Sequence, residues 1–230
     1  MTRRAGIAIV LAAVCGGAVG VHGQETPITP PQPTVPEVFT MQGQYVRVAY
    51  NNEGFASLGY RMANQEVGNE WMMLDVGLTL REGAKGYTLT RSALTVTTPD
   101  GTKVPLASQR EFMEAGYLRA LNQRAQMSRD SINYFPPGVS KPCALRLFAP
   151  AGKVVYDEVS LDSQRACVGQ LYFRIPGGIQ TGQHWLNVKF ATSEVQVPFR
   201  ILTQEEDKQL RKTWEDLKKQ LDEYMQGGGE

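Results

Sequence analysis

The chain has 230 residues, enough for one domain or at most two. Its 24 basic residues nearly balance its 23 acidic ones, and a net charge of +1 excludes the basic footprint of a nucleic-acid-binding protein. Only two histidines occur, His22 and His184, which excludes a multi-histidine metal centre.

Residues 1–23 have the pattern of a secretory signal peptide. Arg3 and Arg4 form a charged start, 6–21 is uncharged and mostly apolar, and small residues surround a cleavage point expected before Gln24. The apolar run, about sixteen residues, is short for a bilayer-spanning helix, and no later stretch is apolar enough to span after cleavage. Cys15 admits a second reading, a lipidated first mature residue, but Val14 stands where such signals place a small residue. The expected location is therefore periplasmic or secreted. A cut beyond Cys15 leaves Cys143 and Cys167, and a cysteine pair in an exported chain reads as a disulfide. The loop it closes, about 25 residues, is worth on the order of 3 kcal/mol in chain entropy. A redox pair shows Cys-x-x-Cys spacing, which is absent.

Residues 24–42 read as a proline-rich linker. Pro27, Pro30, Pro31, Pro33 and Pro36 favour an extended, semi-rigid spacer. Strands are expected over 45–50 and 55–62, with the turn cluster 51–54 between them and a polar loop over 63–69. Residues 71–80 give the clearest strand of the first half. Met72, Leu74, Val76, Leu78 and Leu80 lie on one face, with Trp71, Met73, Asp75, Gly77 and Thr79 on the other. The partly apolar second face predicts a central position, with Asp75 facing outward beside Gly77. Residues 87–97 form the next strand, bulged at Arg91 and Ser92 where the alternation fails. Thr98-Pro99-Asp100-Gly101-Thr102 is a turn in which proline presets φ and glycine takes positive φ. Residues 103–106 return from it.

The period then changes from two to 3.6. Ser108 and Glu111 form a capping box. The spacing of Phe112, Met113, Ala115, Tyr117, Leu118, Leu121 and Ala125 predicts one helix over 109–127, running through Gly116. Arg110, Arg119, Arg124 and Arg129 read as a solvated basic face, with an anion site as the functional alternative. Residues 133–142 read as a proline-rich turn packed on the sheet, and strands follow over 143–148, 154–161 and 166–175.

Residues 184–202 form two half-buried antiparallel strands. His184, Leu186, Val188 and Phe190 share one face of the first, and Val195, Val197, Phe199 and Ile201 one face of the second. Pro198 cannot donate to a ladder, which sends the second strand to an edge. Short strands with turn signals every eight to twelve residues predict a mainly β fold. The expected architecture is an immunoglobulin-like antiparallel β-sandwich over 43–202, with one inserted α-helix and a C-terminal amphipathic α-helix.

The C-terminal helix, 203–226, opens on a second capping box, Thr203 to Glu206. Leu210, Trp214, Leu217, Leu221 and Tyr224 recur at spacings of four and three, a narrow seam that marks the candidate partner-binding residues. The same stripe also suits packing on the chain's own sandwich. Residues 227–230 are a glycine-rich tail.

No catalytic constellation, cofactor motif or metal set stands out. His184 reads as an ordinary strand residue, Asp157 and Glu158 face opposite ways, and no glycine loop has the context of a phosphate cradle. The expectation is an exported, non-enzymatic protein-binding or structural module of the cell envelope. Its partner is another envelope or secreted protein, and it is monomeric until that partner is present, because two heptads are short for self-pairing. The alternative is a small-ligand carrier or carboxylate-based enzyme with its site in the sandwich loops and the 109–127 helix as a lid. A third reading lends a strand edge, that of the Tyr45 or the Pro198 strand, to an assembly partner.

Overall fold

The computed structural model describes residues 38–227, with side chains described at 44–216 and at 219. The expected signal peptide, Cys15, the linker up to residue 37 and the tail beyond Gly227 lie outside the described residues. The meander β1 (Val38–Gly43), β2 (Val46–Tyr50) and β3 (Gly54–Gly59) leads through a short helix, α1 (Arg61–Gln65), into the long β4 (Trp71–Leu80). Three short strands follow, β5 (Tyr87–Thr90), β6 (Leu94–Thr97) and β7 (Lys103–Pro105), and then a helical arm, α2 (Gln109–Glu114) and α3 (Tyr117–Met127). The strands finish with β8 (Lys141–Ala144), β9 (Glu158–Leu161), β10 (Arg165–Arg174), β11 (Gly182–Lys189) and β12 (Glu194–Ile201). The last helix is α4 (Gln204–Gly227).

The fold is mainly β, with several sheets and four α-helices among the described residues. A six-stranded sheet has the order β1-β2-β3-β4-β10-β8, a four-stranded sheet the order β12-β11-β6-β7, and β5 pairs with β9 in a third, two-stranded sheet. All pairs are antiparallel except β8 with β10. The two larger sheets share one apolar core. Leu58, Leu74, Val76 and Leu171 enter it from one, and Val96, Leu186, Val188 and Val197 from the other, all fully buried.

The period-two pattern of 71–80 is realised as a central strand, but both its faces are buried along all ten residues. The second face is not solvated. Trp71, Met73 and Tyr172 pack there against Phe112, Leu118 and Leu121 of the arm, a second apolar cluster that adds a third layer. Asp75 is consequently buried under the arm rather than outward.

Other departures have local causes. Residues 38–42, assigned to the linker, belong to β1. The polar stretch after β3 holds a one-turn helix, α1, that buries Met62 and Ala63; five residues are too few to show a helical period. The failed alternation at Arg91 is a 3₁₀ turn, Arg91–Ala93, not a bulge: the chain leaves one sheet there and enters another, so the face of every later residue is reset. The strands expected over 143–148 and 154–161 are shorter, because 145–157 crosses over the sheet instead of extending it.

The single helix expected over 109–127 is two. Ala115 ends α2 with extended backbone (ψ 91°), and Gly116 starts α3. In one continuous helix Phe112 and Leu118 would point about 120° apart. The break lets both bury against the same sheet face, at a glycine, which costs a helix interior about 1 kcal/mol relative to alanine. The 133–142 segment packs on the sheet as expected, with the Phe135 ring lying where a Cβ on Gly77 would sit, 2.6 Å from its Cζ.

Cys143 and Cys167 are register partners across β8 and β10 and are disulfide-bonded. The bond pins a four-residue parallel edge strand that has little other pairing to hold it. Pro198 lies in β12, an edge strand of the four-stranded sheet.

Candidate functional site

The arm does not lie flat on the sheet. Gly169 in β10 lets the chain after β8 pass close above it, since a Cβ there would stand 2.4 Å from the Leu145 carbonyl oxygen. The crossing segment, residues 144–151, forms one wall and the arm forms the other. Between them runs a groove of about 940 Å³, floored by β10 from Val168 to Tyr172. That volume falls within the range of small-molecule sites.

Both walls are fastened. On the crossing side, the Arg91 guanidinium lies over the Phe148 ring and donates to the carbonyls of Leu147 and Ala107. The Gln109 side chain donates to the Ala149 carbonyl at 2.6 Å and accepts the Ala149 N–H at 3.3 Å. On the arm side, Arg124 pairs at 2.6 Å with Glu66, which also accepts from the Tyr117 hydroxyl. Arg61 meets Asp130, just beyond α3, through two bonds of 2.7 and 2.8 Å. Glu66 and Asn69, from the stretch expected to be a simple loop, thus anchor the arm.

The floor is aromatic. Tyr172 has ring centroids 4.8 Å from Phe112 and 5.0 Å from Phe148, which are themselves 5.3 Å apart. The Tyr172 hydroxyl donates to Asn122 Oδ1 and lies 3.0 Å from the Gln170 carboxamide. Burial, reinforced by the Asp75 charge, pushes the phenol well above the usual tyrosine range, so it stays a neutral donor. Gln123, Gln126, Arg119, Arg129 and Arg146 supply the polar rim. Arg129 bonds Asp75 Oδ1 at 2.6 Å. Burial raises the Asp75 carboxyl above its ordinary value, and Arg129 pulls against that rise.

Of the four arginines expected to form a basic face, Arg110 pairs with exposed Glu114, Arg124 and Arg129 hold buried carboxylates, and Arg119 faces the groove. The basic face is therefore divided between structural ties and a groove rim. His184 lies elsewhere, inside the four-stranded sheet's core face. Its ring stacks on Phe199, Nδ1 is 3.1 Å from the Gly182 carbonyl, and Nε2 has no partner. Burial lowers its pKa to about 4, so it is neutral.

The candidate partner seam is placed only in part. The capping box is present at the start of α4, with Thr203 and Glu206 bonding each other's backbone N–H, and the Tyr45 hydroxyl donates to Asp207. Leu210 is half-buried and Trp214 is 42% exposed, while the side chains of Leu217, Leu221 and Tyr224 lie outside the described residues. Neither of its described side chains, Leu210 and Trp214, lines the groove. Among the described residues no three potential ligands come together as a metal site, and no helix is long and apolar enough to cross a membrane.

Sequence reasoning missed the groove because its floor and far wall belong to a strand and to a crossing segment that looked like another strand. The available signal was Gly169 in mid-strand, a residue type that marks a close backbone approach, here by Leu145. Comparison with protein-family models, with characterised proteins and with solved structures finds no match for the chain.

Proposed function

We propose that the chain is an exported, non-enzymatic binding module of the cell envelope, and that its binding site is the groove between the helical arm and the 144–151 crossing. The observation that carries this reading is the groove itself, lined by Phe112, Phe148 and Tyr172 and edged with amide and guanidinium groups. Those residue types suit recognition of a ligand. The reading joins the two sequence-based alternatives: the helix pair serves as a wall of a small-ligand site, and the β core serves as the frame. Export rests on the signal-like N-terminus together with a disulfide, a bond that persists in oxidising compartments. The immunoglobulin-like reading of the sandwich rests on two largely antiparallel sheets around one core, and is proposed with it.

The test uses a neutral apolar fluorophore, N-phenyl-1-naphthylamine, and two groove-filling variants, Gln123→Trp and Ala144→Trp. Wild type binds one equivalent and both variants lose it. Binding that survives in both variants places the dye elsewhere and removes the groove from the proposal.

A second reading is favoured by the exposed Trp214, and makes α4 the contact for a partner protein. Affinity recovery from the native envelope, with the full chain and with one truncated after Leu202, tests it. A partner lost on truncation, with the β core still folded, supports α4, and a partner kept by the truncated chain refutes it.

A further inference from the structure

The groove's charge narrows the ligand it takes. Its lining is apolar where Phe112 of the arm, Phe148 of the crossing and Tyr172 of the floor meet. Its rim carries three guanidinium groups, Arg119, Arg129 and Arg146, and among the described residues that line it there is no Asp or Glu. Asp75, beneath the rim, takes up Arg129. Arg119 and Arg146 have no side-chain hydrogen bond or ion pair among the described residues, and they stand on opposite walls, one in α3 and one in the crossing segment. This contrasts with the rest of the arm, where Arg110 and Arg124 each meet a glutamate. A chain whose net charge is only +1 has thus gathered an uncompensated positive rim over an apolar floor.

We infer that the groove takes an amphiphilic anion: a single apolar body laid on the aromatic floor, with a carboxylate, sulfonate or phosphate head met by Arg119 and Arg146. The inference rests on the groove being the binding site, as proposed above. Guanidinium groups present planar, always-charged donors that match the oxygens of such heads. Neutral apolar ligands gain from the floor alone, so charge becomes the discriminating feature. The groove's size suits a small amphiphile rather than a folded partner.

Two probes of similar ring structure separate the claims. 8-Anilinonaphthalene-1-sulfonate is the anion and N-phenyl-1-naphthylamine the neutral control. Each is titrated by fluorescence into the chain lacking residues 1–23, as wild type and as the double variant R119E/R146E, with circular-dichroism melts to establish folding. The expected result is a single saturable site for the anion that weakens roughly tenfold or more on charge reversal, and weakens also in high salt, while the neutral probe changes less than about twofold. Melting is unchanged, since neither arginine holds another residue. If the reversed variant fails to fold, R119Q/R146Q carries the test, with a smaller loss in the same direction. Anion affinity indifferent to both variants overturns the assignment of the head group while leaving the groove intact, provided the neutral probe binds. If neither probe binds wild type, the groove itself falls and the ligand class with it.

Discussion

His184 makes the fold sensitive to mild acid. Its imidazole is wholly buried, Nε2 meets no partner, and burial holds its pKa at about 4 against an ordinary 6.5, with the Gly182 carbonyl and the Asp100 charge pulling weakly the other way. The folded chain therefore refuses a proton that the unfolded chain accepts. As pH falls below 6.5 the unfolded state is favoured progressively, until the folded state also protonates near pH 4. Stability is thus present above pH 6.5 and lost between 6.5 and 4. The full difference corresponds to about 3 kcal/mol, of which about 2 kcal/mol is lost by pH 4.5. Carboxylates contribute to acid sensitivity as well. Cap hydrogen bonds hold Glu111 and Glu206 below the usual range, and their contribution is lost on acidification too. The variant His184→Leu, of similar volume and with nothing to titrate, removes only the imidazole. Urea unfolding followed by tryptophan fluorescence, for wild type and variant at pH 7.0 and 4.5, isolates the effect. The stability difference is expected to shift in the variant's favour by about 2 kcal/mol over that interval. Parallel stability-versus-pH curves for the two proteins refute the reasoning, because they require His184 to titrate as freely folded as unfolded.

Other consequences follow from the same packing. Replacing Cys143 and Cys167 by serine releases a loop with a sequence separation of 24 and frees the edge strand β8; the loss, by equilibrium unfolding, is about 3 kcal/mol. On non-reduced, unfolded protein lacking residues 1–23, the thiol count is expected to be zero, and any free thiol contradicts the pairing. Gly77→Ala drives a Cβ into the Phe135 ring and destabilises by about 1–3 kcal/mol; in the background Phe135→Ala most of that cost disappears, and a strictly additive double-mutant cycle rejects the contact. Ser108→Ala removes the cap of α2 at a cost of about 1 kcal/mol, read from the thermal midpoint, and an unchanged midpoint shows that the arm's start contributes nothing to the cooperative unit.

How much of this was legible follows the physical origin of each feature. Local rules carried well. The capping boxes at Ser108 and Thr203, the turn at Gly101, the edge position of Pro198 and the disulfide between Cys143 and Cys167 each depend on a few neighbouring residues or on chemistry with one outlet. The central strand of 71–80 was legible from its period, but what covers its second face was not. Asp75 and Gly77 look like solvent positions until Arg129, just beyond the arm, meets the one and Phe135 the other, and the arm's position depends on long-range ties, Glu66 to Arg124 and Asp130 to Arg61. The groove was hidden for the same reason. Its two walls come from segments about 30 residues apart, and its floor from a strand whose alternation shows only that Tyr172 points away from the main core. Periodicity alone carries a continuous helix through Gly116, whereas the burial of both Phe112 and Leu118 on one sheet requires the break.

The most direct measurement is a map of amide chemical shifts in ¹⁵N-labelled protein lacking residues 1–23, titrated with 8-anilinonaphthalene-1-sulfonate. Binding in the groove predicts saturable shifts clustered at 117–126, 144–151 and 168–172, with those of α4 and of the His184 strand unmoved. Shifts concentrated around Trp214, or scattered with no saturation, contradict the groove as the functional site.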